Sequence, residues 1–127
     1  MKTVTESLIQ FVQETNYDKL PENVIHEVKR SLLDSIGCAF TGMNTEKGKL
    51  SYQLAKRLGG NEESTVIGYG TKISITNASM VNGELIYSLD FDAMPHIPPF
   101  VFPPVLAAGE LKNSTGNNVA VVDALKS

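Results

Sequence analysis

Pro21-Glu22-Asn23-Val24-Ile25-His26-Glu27-Val28-Lys29-Arg30-Ser31-Leu32-Leu33-Asp34-Ser35-Ile36-Gly37-Cys38-Ala39-Phe40-Thr41-Gly42 is the stretch on which the fold turns. Pro21 suits a first helical turn, where no intrahelical N–H is needed, and Glu22 beside it favours the positive end of the helix dipole. From there Val24, Ile25, Val28, Leu32, Ile36 and Phe40 recur at three-to-four spacing, the period of one helix face. Gly42 reads as the stop, because glycine readily takes the left-handed conformation that ends helices. His26 lies off the stripe and reads as a solvated histidine. Cys38, inside the helix, reads as a small buried hydrophobe.

Upstream, Thr3 and Glu6 stand at capping-box spacing, and Val4, Leu8, Phe11 and Val12 share one helical face. Asn16-Tyr17-Asp18 breaks that helix before Pro21. Downstream, a third helix is expected from about Thr45 to Leu58, with Leu50, Leu54 and Leu58 on one stripe and Gly59-Gly60 as its stop. Ser64-Thr65-Val66-Ile67, Gly68-Tyr69-Gly70 and Thr71-Lys72-Ile73 then read as a small hairpin, which must lean on the helices because a lone hairpin is marginal in water. Gly68-x-Gly70 lacks the third glycine and following helix of a dinucleotide loop, so it is turn chemistry. From about Ser74 to Leu89 helical spacing returns through Ala78, Val81, Leu85 and Leu89. Five of the six prolines fall between Pro95 and Pro104. Pro98-Pro99 should keep the chain extended, and Pro103-Pro104 should open a further helix carrying Val105, Leu106 and Leu111. A last helical stretch is expected from Val119 to Leu125. The fold class is therefore all-α with one short β-hairpin-like excursion, and residues 1–127 form one domain.

Composition narrows the function. The chain has 127 residues, 42% hydrophobic and 20% charged, with a net charge of −3. It has the make-up of a globular protein, and no basic cluster argues for nucleic acid or an anionic membrane surface. One cysteine excludes an internal disulfide framework and a cysteine-rich zinc site. Neither a signal peptide nor a long apolar run is present, so the expected location is cytoplasmic, with no membrane partner.

The residues with chemistry are in Leu89-Asp90-Phe91-Asp92-Ala93-Met94-Pro95-His96, where a helix gives way to a proline-stiffened loop. Asp90 and Asp92 converge only if the helix ends between them, since i and i+2 side chains point apart on a helix. Such a loop can hold an imidazole at a fixed distance from a carboxylate, which orients a general acid or base. The same pattern fits a solvated turn or cap. A metal reading uses the same three side chains, but they fall short of a full ligand set and match no standard zinc spacing, so no metal is assigned. Asn82-Gly83, inside a helix, needs a bare backbone, for close helix packing or for the approach of a substrate.

Taken in order, these stretches resemble the MmgE/PrpD family, which includes 2-methylcitrate dehydratase, cis-aconitate decarboxylase and iminodisuccinate epimerase. Leu32-Leu33-Asp34-Ser35-Ile36-Gly37, Ser64-Thr65-Val66-Ile67-Gly68, Asn82-Gly83, Leu89-Asp90-Phe91-Asp92, and His96 with Val101, Pro103, Leu106, Ala107 and Glu110 carry the likeness. The resemblance implies the N-terminal portion of a longer helical domain that is built from both ends of its chain, with an α+β domain between. It implies a lyase or isomerase doing proton chemistry (dehydration, decarboxylation or epimerisation) on a small di- or tricarboxylic acid. Asp90 and His96 would be catalytic, and Asp92, Asn82 and Gly83 would line the substrate. It implies no metal or organic cofactor, a homodimer, and further active-site lysine and histidine residues beyond this segment, so the segment alone is expected to be inactive. The competing reading is a non-catalytic helical assembly or binding module, a truncated paralogue. Ala93 replaces the second Asp of the family's Asp-Asp pair, the Asp92–His96 loop is short, and Ile97-Pro98 replaces Pro-Ser.

Overall fold

The computed structural model describes residues 2–114. Five α-helices and one two-stranded sheet follow in the order α1 (Val4–Glu14), α2 (Glu22–Gly42), α3 (Glu46–Leu58), β1 (Ser64–Thr65), β2 (Lys72–Ile73), α4 (Ile75–Tyr87) and α5 (Pro98–Ser114). This is the mostly helical architecture expected. The helix expected at Val119–Leu125 lies outside the described residues. No helix among those described is long and apolar enough to cross a membrane.

Local signals account for most boundaries. The Thr3 hydroxyl accepts from the Glu6 N–H at 3.2 Å while the Glu6 carboxylate accepts from the Thr3 N–H at 2.7 Å, a complete capping box at the start of α1. Thr45 caps α3 by accepting from the Gly48 N–H, and Gly59 ends it at φ 72°. β1 and β2 pair antiparallel, Ser64 with Ile73 and Thr65 with Lys72. Gly68 and Gly70, both at positive φ, turn the chain between them.

α4 is the common neighbour of the fold: α2, α3, α5 and both strands pack on it. Its buried face (Ala78, Val81, Leu85, Ile86) meets Ala39, Ala55, Val66 and Ile73 in one core. The face that α2 buries is Ser35, Ala39 and Gly42, not the stripe of large apolar residues, of which Val24, Val28 and Phe40 stay exposed. α3 likewise buries Gly48 and Ala55, while Leu50, Leu54 and Leu58 face outward. Small residues win these positions because the helices approach closely. A Cβ on Gly42 would lie 1.9 Å from the Leu85 carbonyl oxygen, and one on Gly48 would lie 2.3 Å from the Gly42 carbonyl oxygen. Gly42 is therefore a packing glycine within α2; Met43, in right-handed conformation, caps the helix instead.

α5 corrects the expected reading of the prolines. It starts at Pro98 rather than Pro103, so Pro98 and Pro99 occupy the first turn, where missing N–H groups cost nothing. The Ile97 carbonyl accepts from the Phe100 and Val101 N–H groups. Pro103 and Pro104 then lie inside the helix. Pro103 has no N–H for the Pro99 carbonyl, and that oxygen points at the bare backbone of Gly83, 2.8 Å from where a Cβ would stand.

Candidate active site

The connection from α4 to α5 carries the chemistry. Asp90 donates its N–H to the Tyr87 carbonyl at 3.0 Å and takes a left-handed φ of 57°. Asp is among the residues that tolerate this region. A turn from Ala93 to His96 follows, closed by the His96 N–H on the Ala93 carbonyl at 2.9 Å, with a cis Met94–Pro95 bond inside it. His96 is itself left-handed at φ 62°. Two non-glycine residues in this sparsely populated region, both bearing candidate catalytic side chains, mark a loop whose shape is held by its surroundings.

These turns bring the three expected side chains together. His96 Nδ1 lies 3.1 Å from Asp92 Oδ1, and His96 Nε2 lies 3.4 Å from Asp90 Oδ1. Their settings differ sharply: the Asp92 side chain is 0% exposed, that of His96 26%, and that of Asp90 72%. The buried carboxylate therefore anchors one ring nitrogen, while the other faces a solvated one. Asp92 Oδ2 is buried and finds no hydrogen-bond partner among the described residues. Partial burial, followed by the Asp34 and Asp92 carboxylates, pushes the half-buried Cys38 thiol up from its ordinary range, which disfavours its thiolate. The Tyr87 ring meets the imidazole edge to face, with centroids 5.6 Å apart. Tyr87 escaped the sequence reading; its place three residues before Asp90, at the helix end, was the available signal.

Asp90, Asp92 and His96 are also close enough to share a small cation, with candidate ligand atoms within 4.8 Å of one another. Nδ1 and Oδ1 of the pair, however, already engage each other.

Asn82 and Gly83 have other attachments. The Asn82 amide accepts from the Ile67 N–H at 2.9 Å and donates to the Thr65 carbonyl at 3.0 Å, clamping the hairpin to α4. Gly83 admits the Pro99 carbonyl, so close helix packing accounts for its bare backbone. Glu110 of α5, part of the motif pattern in the sequence, accepts from the Thr65 N–H at 3.0 Å and the Thr65 hydroxyl at 2.8 Å. An open groove of about 540 Å³ runs beside the loop, lined by Glu27, Arg30 and Asp34 of α2 and by Phe91, Ala93 and Phe102. Arg30 in that lining pairs with Glu27 at 2.7 Å, both side chains largely exposed.

Comparison with known proteins agrees with the motif order. The family model of the MmgE/PrpD N-terminal domain matches residues 6–125. Cis-aconitate decarboxylase of Homo sapiens is 36% identical over 93 residues, covering 72% of this chain and 19% of that relative. The Mus musculus enzyme of the same name matches to the same extent. Cis-aconitate decarboxylase of Aspergillus terreus is 27% identical over 127 residues, covering 96% of this chain and 26% of the relative. The chain thus spans about a fifth to a quarter of the length of these relatives. A family match running through nearly the whole chain, on top of motifs found in the family's own order, leads to one assignment: this chain belongs to the MmgE/PrpD family.

Proposed function

We propose that this chain supplies one wall of the active site of a cytoplasmic lyase or isomerase that moves a proton at the carbon beside a carboxylate of a small di- or tricarboxylic acid. The observation that carries this reading is the Asp92–His96–Asp90 arrangement. Dehydration removes a proton at such a carbon, decarboxylation leaves a carbanion there that must be protonated, and epimerisation does both in turn. Each needs a proton carrier of fixed orientation, with donors or cations for the carboxylates. With its Nδ1–H given to the buried Asp92 oxygen, His96 presents Nε2 as the atom that takes or returns the proton. Asp90, solvated and 3.4 Å from Nε2, can swing aside for substrate. The relatives named cis-aconitate decarboxylase support decarboxylation within this set, while the resemblance also spans 2-methylcitrate dehydratase. Cations for the substrate would come from chain outside this segment, and the enzyme would act as a homodimer.

The test uses the native polypeptide that carries this segment, incubated with citrate-like acids in D2O. Deuterium should enter at the carbon next to a carboxylate, and His96→Asn should lower kcat/KM by about 100-fold or more. A variant within a few-fold of the parent would overturn the catalytic role of His96. The 127-residue chain alone should show no turnover, and robust turnover by it would refute the need for additional residues.

The outward-facing stripes of α1 and α3 favour a second reading, a non-catalytic assembly module. It parts from the first at the deuterium experiment, where a module gives no exchange in any form.

A further inference from the structure

His96 lies between two carboxylates, and a neighbouring ring bears on how it faces them. Tyr87, the last residue of α4, meets the imidazole with the two planes at 89°. Lys47 of α3 holds Tyr87 in turn: its ammonium lies 5.4 Å from the tyrosine ring centroid, within cation–π range, and pairs with Glu84 of α4 at 3.0 Å. The Tyr87 carbonyl also receives the Asp90 N–H. A single residue therefore touches both ends of the catalytic loop, Asp90 through its backbone and His96 through its ring.

The outer torsion of a histidine side chain is broad, so one hydrogen bond to Asp92 does not by itself hold the ring in plane. An aromatic neighbour at right angles does, because edge-to-face packing is lost when the imidazole tilts. We infer that Tyr87 is a positioning residue that keeps the His96 imidazole in the plane joining Asp92 to Asp90. Nδ1 then stays on the buried carboxylate and Nε2 is left for substrate. The catalytic use of this arrangement rests on the function proposed above; its test does not.

The chain has two histidines, and the exposed His26 on α2 serves as an internal reference. Long-range 1H–15N spectra of the 127-residue chain, recorded on the alkaline side of imidazole titration, report which nitrogen carries the proton. For His96 a protonated Nδ1 and a bare Nε2 are expected, against an averaged pattern for His26. Tyr87→Phe should keep the His96 pattern, since the contact needs only the ring. Tyr87→Leu should move the two His96 nitrogen shifts at least halfway toward the averaged pattern. An unchanged pattern in the leucine variant overturns the inference, and so does loss of the pattern in the phenylalanine variant, which would place the effect in the hydroxyl. If the leucine variant loses its helical circular dichroism, the parent chain decides. Nuclear Overhauser contacts between the two rings are then required, and their absence overturns the inference. Turnover does not enter the readout, so failure of the proposed function and failure of Tyr87 as a positioning residue give different results.

Discussion

Asn82 is 3% exposed and joins α4 to the hairpin through the Ile67 N–H and the Thr65 carbonyl. Replacing it by alanine leaves two part-buried backbone groups without their side-chain partner. An unsatisfied buried group costs about 1–3 kcal/mol, so Asn82→Ala should destabilise the chain by about 2–4 kcal/mol in urea unfolding. A loss below about 1 kcal/mol would mean that the clamp is dispensable. The same residue shows where sequence reading stops. The need for bare backbone at Gly83 was legible, but the amide's partners are fifteen and seventeen positions away and set by tertiary packing. The candidate site was legible as a neighbourhood, since Asp90, Asp92 and His96 crowd one proline-stiffened turn. Which carboxylate is buried was not, because it depends on left-handed dihedrals at Asp90 and His96 that no residue pattern announces.

Among the elements, α2 shows why large apolar residues mislead. Their period announced the helix and Pro21 and Gly42 marked its limits to within a residue, yet the face that packs is Ser35, Ala39 and Gly42, whose low hydrophobicity hides the close approach of α4. Two glycines of that helix should accordingly respond in opposite directions. Gly42→Ala drives a methyl into the Leu85 carbonyl and should cost about 3 kcal/mol. Gly37→Ala meets nothing within 4 Å and should gain about 0.5–1 kcal/mol from helix propensity. Thermal unfolding of the two variants measures both, and equal effects would refute the packing role of Gly42. α1 offers a pH test. Hydrogen bonds from the Thr3 N–H and then the Thr3 hydroxyl hold the Glu6 carboxyl below its ordinary value of 4.5. The ionised form is thus favoured by the folded helix, so its contribution is present above that value and is lost as pH falls through the lowered one. Helicity of α1 should drop on acidification below the ordinary value of 4.5, and Glu6→Gln should remove that step in circular dichroism. The α5 boundary was misplaced by five residues because each of two proline pairs could open a helix, and the Pro99–Gly83 contact that accommodates the second pair is invisible in the chain itself.

At the scale of the whole molecule, α1 buries none of its residues, and Val4, Leu8, Phe11 and Val12 share their exposure with Leu50, Leu54 and Leu58 of α3. Exposed apolar stripes of this kind favour association. The 127-residue chain should therefore sediment as concentration-dependent oligomers, and the pair Leu50→Gln and Leu54→Gln should shift it toward monomer with little change in unfolding midpoint. A parent chain that stays monomeric at high concentration would remove this expectation. The mostly helical fold class was readable from period alone. The hub was not, because α4 is one of the shorter helices and owes its place to neighbours on both sides of it in the chain, α2, α3 and the two strands before it and α5 after it. That placement carries a consequence for synthesis. The chain emerges from the ribosome N-terminus first, and α2 and α3 are complete long before the element on which both close. Their partner-seeking surfaces must wait, unprotected, for some thirty residues of further translation, and the face that α4 turns to α5 waits longer still, until Pro98–Ser114 has followed.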